Sequence, residues 1–156
     1  MKSNDDIKFE KLPTVDDIAG VLEDIFSLKL NVSGGWAYDN KSALEVNSLD
    51  MPIEQFLHTF ASMRANIEMN LTLDEENRYG GINVSQKEHK EFEIENQKFD
   101  LVTFKITAMK EKDYNHFIQE YKDNYGKEEF DLAKHFEQRQ KATIEVKSDF
   151  WFIFKF

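Results

Sequence analysis

The sequence contains no cysteine, only two prolines and no long apolar run. The absence of cysteine excludes disulfide bonds, thiolate metal sites and cysteine nucleophiles. Because a membrane-crossing helix needs about 20 apolar residues, no segment is expected to span a bilayer. The opening stretch, MKSNDDIKFEKLP, also lacks the apolar core of roughly 7–15 residues that a secretory signal requires. We therefore expect a cytoplasmic protein.

Basic residues are scarce relative to acidic ones. The chain has 20 Lys and Arg against 30 Asp and Glu, a formal net charge of −10. Such a chain repels phosphate backbones and anionic lipids, which attract proteins through Lys and Arg. We predict that it binds neither nucleic acid nor a membrane.

The acidic surplus is concentrated in the first half of the chain. Residues 1–78 hold 15 acidic and 7 basic residues (net −8), whereas residues 79–156 hold 15 and 13 (net −2). A focused negative surface steers a basic partner and speeds association. The alternative interpretation is that the charge serves solubility alone.

Hydrophobic periodicity predicts a single α+β domain over residues 1–156, with residues 1–12 as a loose lead-in. Apolar spacing of three and four predicts about four helices. The first spans roughly 15–27 with Thr14 as its cap, and the second opens at Asp50 and Pro52. The predicted order is α-ββ-α-ββββ-αα-ββ. Its hairpin-length connections indicate a mainly antiparallel sheet of about six to eight strands.

Strict alternation of apolar residues places several of these strands. Ile67, Met69, Leu71 and Leu73 alternate, which predicts a strand directly after the second helix. A weaker strand is predicted at RYGGINVS, and the segment around Phe92 and Ile94 is expected to form a hairpin with residues 99–109. Two further strands are predicted to meet around Ser148 and Asp149.

The last two helices are predicted in the second half of the chain. Asp113 is expected to cap the third helix. The apolar residues of the fourth are Phe130, Leu132, Ala133 and Phe136.

The chain ends in DFWFIFKF, residues 149–156, an apolar segment with two distinct faces. As a strand it places Phe150, Phe152, Phe154 and Phe156 on one face, which we expect in the core. Trp151 and Ile153 lie on the other face. Either helices of this chain cover that face in a central strand, or it forms an exposed patch for a partner or a homodimer.

No catalytic motif is present. The sequence has no nucleophile elbow, no phosphate-binding glycine loop and no zinc-binding His pair, and we predict neither a cofactor nor a metal site. The strongest polar constellation is His116 with Glu120, one helical turn apart, beside Tyr121. These three residues are the candidates for an alternative function, in which a pocket between sheet and helices binds a small molecule or performs catalysis. Such a pair also occurs on ordinary solvated helices.

The segment SGGWAYDN contains Trp36 and Tyr38, residue types that dominate interface hot spots when exposed and belong to the core when buried. Together with the acidic residues of the first helix, they are our candidate partner-binding residues: Asp16, Asp17, Glu23, Asp24, Trp36 and Tyr38. The sequence therefore favours a non-enzymatic interaction module that binds and inhibits a basic protein, as an immunity or antitoxin-like protein does. A homo-oligomer with a purely structural role is the third interpretation.

Overall fold

The computed structural model describes residues 2–3 and 9–156, so positions 1 and 4–8 of the predicted lead-in lie outside the described residues. It has four α-helices: α1 (Ile18–Phe26), α2 (Ile53–Asn66), α3 (Glu111–Asn124) and α4 (Leu132–Ala142). The strands are β1 (Lys2–Ser3), β2 (Val32–Gly34), β3 (Leu44–Val46), β4 (Tyr79–Ile94), β5 (Gln97–Lys110) and β6 (Ile144–Phe154).

The described strands form one mixed sheet in the order β2-β3-β6-β5-β4, and β1 pairs in parallel with the start of β6. The β3–β6 pair is parallel, whereas β2–β3, β4–β5 and β5–β6 are antiparallel. The α+β class and the four helices agree with the prediction. The predicted eight-strand order does not, because two predicted strand pairs are single long strands and a third predicted strand, at residues 67–73, is largely helical.

The first of these long strands is β4. Its 16 residues include both the RYGGINVS segment and the Phe92 segment, joined through the polar run between them. As expected, β4 forms a hairpin with β5, and Glu95 and Asn96 at its turn have φ of 50° and 67°. The second is β6, in which Ser148 and Asp149 continue the strand instead of forming a turn.

The predicted strand at residues 67–73 is wrong. The segment Ile67–Leu71 continues α2 as a π-helical turn, and the Thr72 N–H donates to the Ile67 carbonyl at 3.1 Å. Alternation misled here because Ile67 and Met69 are buried while Leu71 is 54% exposed. The alternating pattern thus did not correspond to one buried face.

Two predicted helix caps are also wrong. Lys110, not Asp113, is the N-terminal cap position of α3, because the helix begins at Glu111 and Asp113 lies in its first turn. Asp17, not Thr14, caps α1, and its Oδ1 accepts from the Gly20 N–H at 3.0 Å. In α4 the buried residue is His135, whereas Leu132 and Phe136, two of the apolar residues that predicted this helix, are 46% and 47% exposed. The short helix therefore packs through its histidine.

The core lies between one face of the sheet, here called the inner face, and helices α1 and α2. Phe150 and Phe152 on β6 are fully buried, and Phe60 of α2 packs edge-on to both at ring distances of 6.2 and 5.8 Å. α1 adds Ile18 and Leu22 to the same cluster. Of the four terminal phenylalanines, Phe154 is half-buried and Phe156 is 63% exposed, so only the first two are core residues.

The opposite face of the sheet, here called the outer face, carries Trp151 and Ile153 of the terminal segment. β6 is central, as expected, but neither α1 nor α2 covers Trp151. Instead, Phe92 stacks on its ring at 5.8 Å and Phe99 packs edge-on at 5.8 Å, both from the β4–β5 hairpin. α3 lies against the other end of the hairpin, where Tyr114 contacts Gly80 and Gly81.

Candidate functional site

The SGGWAYDN loop is an internal connector, not a surface anchor. Trp36 was a candidate partner-binding residue, but its side chain is only 4% exposed and cannot serve as a surface anchor. Its Nε1–H donates to the Pro13 carbonyl at 3.1 Å. Ala37 is fully buried with φ of 72°, a left-handed conformation that is costly for a residue with a Cβ. Its carbonyl accepts from the Trp151 N–H at 2.9 Å. These bonds tie the loop to the centre of the sheet.

Beneath this loop lies a buried charged cluster that the sequence did not reveal, made of Tyr38, Arg64 and Glu68. Arg64 is 2% exposed and lies 3.6 Å from the Phe150 ring centre and 4.3 Å from that of Tyr38. Its Nη1 donates to the Trp36 carbonyl at 2.9 Å and its Nη2 to the Asp149 carbonyl at 3.0 Å. One guanidinium thus joins α2, the loop and β6.

Glu68 completes the cluster from the π-helical turn. Its Oε1 lies 3.7 Å from Arg64 Nε, within ion-pairing range, and its Oε2 accepts from the Tyr38 hydroxyl at 2.7 Å. The same hydroxyl accepts from the Leu12 N–H at 2.9 Å. Burial raises the pKa of Glu68, raises the pKa of the Tyr38 phenol and lowers the pKa of Arg64.

The chemistry of this cluster is structural. Burial raises the pKa of the Tyr38 phenol, so the phenol is a poor proton donor in catalysis, and both terminal nitrogens of Arg64 donate to backbone carbonyls. A cleft of about 260 Å³ runs beside it, lined by Phe9, Lys11 and residues 146–149. No group of the cluster is left to act on a substrate there, since each is engaged with another part of the chain.

The alternative site is partly assembled, but with a partner that was not predicted. Glu120 lies between two imidazoles, 3.3 Å from His116 Nε2 and 2.8 Å from His135 Nδ1. The hydrogen bond from His135 holds the pKa of the Glu120 carboxyl below its ordinary value. Tyr121 packs its ring against His135 at 5.8 Å. The i, i+15 contact between α3 and α4 carries no local sequence signal.

His135 joins α3 and α4 and is closed off from solvent. Its side chain is fully buried, and its Nε2 has no hydrogen-bond partner among the described residues. Phe117, Phe130 and Phe136 surround the ring at 5.2–5.8 Å. His116, by contrast, is 67% exposed at the side chain. The cleft of about 360 Å³ beside Glu120 and His135 is lined by neither His116 nor Tyr121, so the three predicted residues do not converge on one pocket.

The four predicted carboxylates of the first helix, Asp16, Asp17, Glu23 and Asp24, are exposed and are called the helix-face carboxylates below. Within the described part of the chain, none of them forms an ion pair; Asp17 accepts only the capping bond of its own helix. Three carboxylates on the sheet, Glu45, Glu88 and Glu145, are instead paired with lysines. Glu45, for example, pairs with Lys155 at 2.7 Å.

The described residues contain no group of three or more His, Asp or Glu side chains arranged to hold a metal ion. Among the described helices, none combines the length and the apolar character needed to cross a bilayer. The cavity nearest to the Trp36 loop has a volume of about 400 Å³ and is lined by Leu12, Lys41, Glu45 and Ile153 among others. No protein-family model, curated protein or solved structure matches the chain significantly.

Proposed function

We propose that this protein is a non-enzymatic interaction module that binds a basic protein, and inhibits it by occupying its surface, through the helix-face carboxylates. The observation that carries the proposal is the contrast in charge pairing between the two sides of the molecule. The carboxylates at α1 are exposed and lack ion pairs within the described residues, whereas Glu45, Glu88 and Glu145 on the outer face of the sheet are paired with lysines.

Unpaired charge has a physical consequence for binding. A carboxylate already paired with lysine presents little net field. Four carboxylates without an ion pair in the described chain, two just before α1 and two on it, attract cations over about 8–10 Å at physiological salt. Charge of this kind accelerates encounter and discriminates against acidic partners. It adds nothing to folding, because exposed charges away from partners are nearly neutral in stability.

The rival function, catalysis or small-molecule binding at His116, Glu120 and Tyr121, has weaker support. His116 faces solvent, and His135, the histidine that Glu120 orients, is sealed among aromatic rings. General acid–base chemistry needs a titrating group within reach of a substrate. Neither imidazole is both held in a fixed orientation and open to a closed pocket.

The test is affinity capture from a lysate of the native organism, with the immobilised protein at low and high salt and identification by mass spectrometry. The variant D16N/D17N/E23Q/D24N removes four charges with little change in shape, and asparagine at position 17 retains the helix cap. The matched control E76Q/E91Q/E93Q/E128Q removes four exposed charges that lie outside α1 and form no ion pair in the described chain.

We expect a basic protein to be retained by the wild type and the control, and to be lost both at high salt and from the α1 variant. Equal retention by both variants would show that total charge, not the helix face, governs binding. Capture that salt does not weaken would rule out an electrostatic interface.

A further inference from the structure

The outer face of the sheet carries an apolar patch at the end away from α3 and α4. Because directly opposed residues on paired strands share a face, the register places Phe92 beside Phe99 and Leu101 beside Trp151. The outer patch is defined by six residues: Phe92, Ile94, Phe99, Leu101, Trp151 and Ile153. Phe92 is 41% exposed and Trp151 is half-buried, so the cluster is packed at its centre and open to solvent above.

The β4–β5 hairpin has polar side chains on its inner side and aromatic side chains on its outer side, as a contact surface on the outer face would require. On its inner side, beyond α2, His89 pairs with Asp100 at 2.7 Å and Glu93 lies opposite Lys98. The polar side is thus on the same face of the sheet as α1 and α2, and the aromatic side is on the opposite face. A lone hairpin tip gains nothing from exposed aromatic residues unless another surface covers them.

The charges around the outer patch are balanced. The same register assigns four acidic and four basic side chains to the outer face: Glu45, Glu88, Glu145 and Asp149, with Lys90, Lys105, Lys147 and Lys155. Three lysine–carboxylate pairs join them: Lys90 to Glu88 at 3.1 Å, Lys105 to Glu145 at 3.4 Å and Lys155 to Glu45 at 2.7 Å. This face is therefore neutral in a chain whose net charge is −10.

We infer that the outer patch is the contact between two copies of this chain, packed sheet to sheet around a two-fold axis. A neutral face with interspersed signs is complementary to itself, since a rotated copy places lysines near carboxylates without net repulsion. The helix-face carboxylates repel a second copy, because they form no ion pair within the described residues. A strongly basic or acidic partner would gain no charge attraction from the neutral face.

The size of the face determines the strength of the contact. Three long strands at about 4.8 Å spacing and about ten residues at 3.3 Å rise give a flat area of roughly 470 Å². Two such faces together fall below the roughly 1,200 Å² typical of a stable interface. The dimer is accordingly a concentration-dependent one, with dissociation in the micromolar range, and it leaves α1 free on the far side of each copy.

Sedimentation velocity and light scattering between about 5 and 500 µM test this contact. We expect the wild type to shift from monomer toward dimer over that range. Phe92→Glu is expected to abolish the shift, while the control Leu132→Glu, at a site of matching exposure (46%) on α4, keeps it. Because Phe92 packs on Trp151, a second variant leaves the packing untouched. Lys147→Glu makes the exposed outer face net negative and is expected to weaken the dimer at low salt, with recovery at high salt.

Tryptophan fluorescence supplies an independent measurement. Trp36 is 4% exposed, so acrylamide acts mainly on Trp151, and its quenching should fall as the wild-type concentration rises. A monomer at every concentration would overturn the inference. So would a dimer that survives both Phe92→Glu and Lys147→Glu, or one that only Leu132→Glu disrupts. None of these results depends on capture of a basic partner. The dimer contact and the proposed function are therefore tested independently of each other.

Discussion

Replacing Arg64 with methionine should cause the largest stability loss of any single polar substitution in the described core. The guanidinium donates to two backbone carbonyls, at 2.9 and 3.0 Å, and is the cation beside the buried Glu68. Removing one member of a buried ion pair costs about 3–5 kcal/mol because the other charge is left unpaired. Methionine recovers part of this through its own burial, so we expect a net loss of about 3 kcal/mol.

The loss should grow with pH. Burial raises the pKa of Glu68, so the folded state binds this proton more tightly than the unfolded chain, whose pKa is about 4.3. Ionisation of Glu68 therefore costs stability as pH rises above that value. Without Arg64 the pKa rises further, and the difference in unfolding free energy between wild type and R64M should widen from pH 5 to pH 8.

Urea denaturation followed by circular dichroism measures this directly, and a melting curve should show a decrease of roughly 6–12 °C for about 3 kcal/mol in a chain of this length. The double variant R64M/E68Q should recover part of the loss and abolish its pH dependence. Arg139→Met is the matched control, since the guanidinium of Arg139 forms no ion pair in the described chain and lies over the Phe136 ring at 5.6 Å, and the change in stability should be less than about 1 kcal/mol. An R64M protein within 1 kcal/mol of wild type at both pH values would refute the reasoning.

Two further predictions concern the terminal strand and the α3–α4 contact. Phe152→Ala, at a fully buried position, should cost about 3–5 kcal/mol in urea denaturation, whereas Phe156→Ala, at a site 63% exposed, should cost less than about 0.5 kcal/mol; equal losses would contradict the assignment of only the former to the core. Because the hydrogen bond from His135 lowers the pKa of Glu120, this carboxylate stabilises the fold above its unfolded pKa, and the contribution is lost as pH falls through the folded value. Glu120→Gln should therefore flatten the acid limb of the stability profile below about pH 4.3, and an unchanged limb would contradict the pairing.

Helices and strands could be predicted from the sequence where the apolar residues recur with the period of a buried face. The prediction failed where a strand is exposed and polar, or where a buried residue is itself polar. Helix α2 was predicted because Phe56, Leu57 and Phe60 share one stripe. β4 was divided in two because, at the edge of the sheet, its run from Lys87 to Glu91 is exposed and has no apolar alternation. Asp149 resembled a turn residue, but its carboxylate accepts from the Thr103 hydroxyl at 2.7 Å across the β5–β6 ladder.

The buried charged cluster shows why a site of this kind escapes prediction. Arg64 and Glu68 have the i, i+4 spacing of a helical ion pair, but that spacing is as common on solvated helices as in a core. Their burial depends on Trp36 and β6, which contact Arg64 from 28 and 85 residues away in sequence. The exposed carboxylates of α1 were predicted correctly as exposed, because a polar helix face needs only local periodicity.

The most direct test of the proposed function is the salt dependence of binding to the captured basic protein, measured as dissociation constant against salt concentration by calorimetry. For the wild type we predict a steep weakening as salt rises, and for D16N/D17N/E23Q/D24N both weaker binding and a clearly shallower dependence. The control E76Q/E91Q/E93Q/E128Q should retain the wild-type slope. Identical slopes for the wild type and the α1 variant would contradict the role assigned to the helix-face carboxylates.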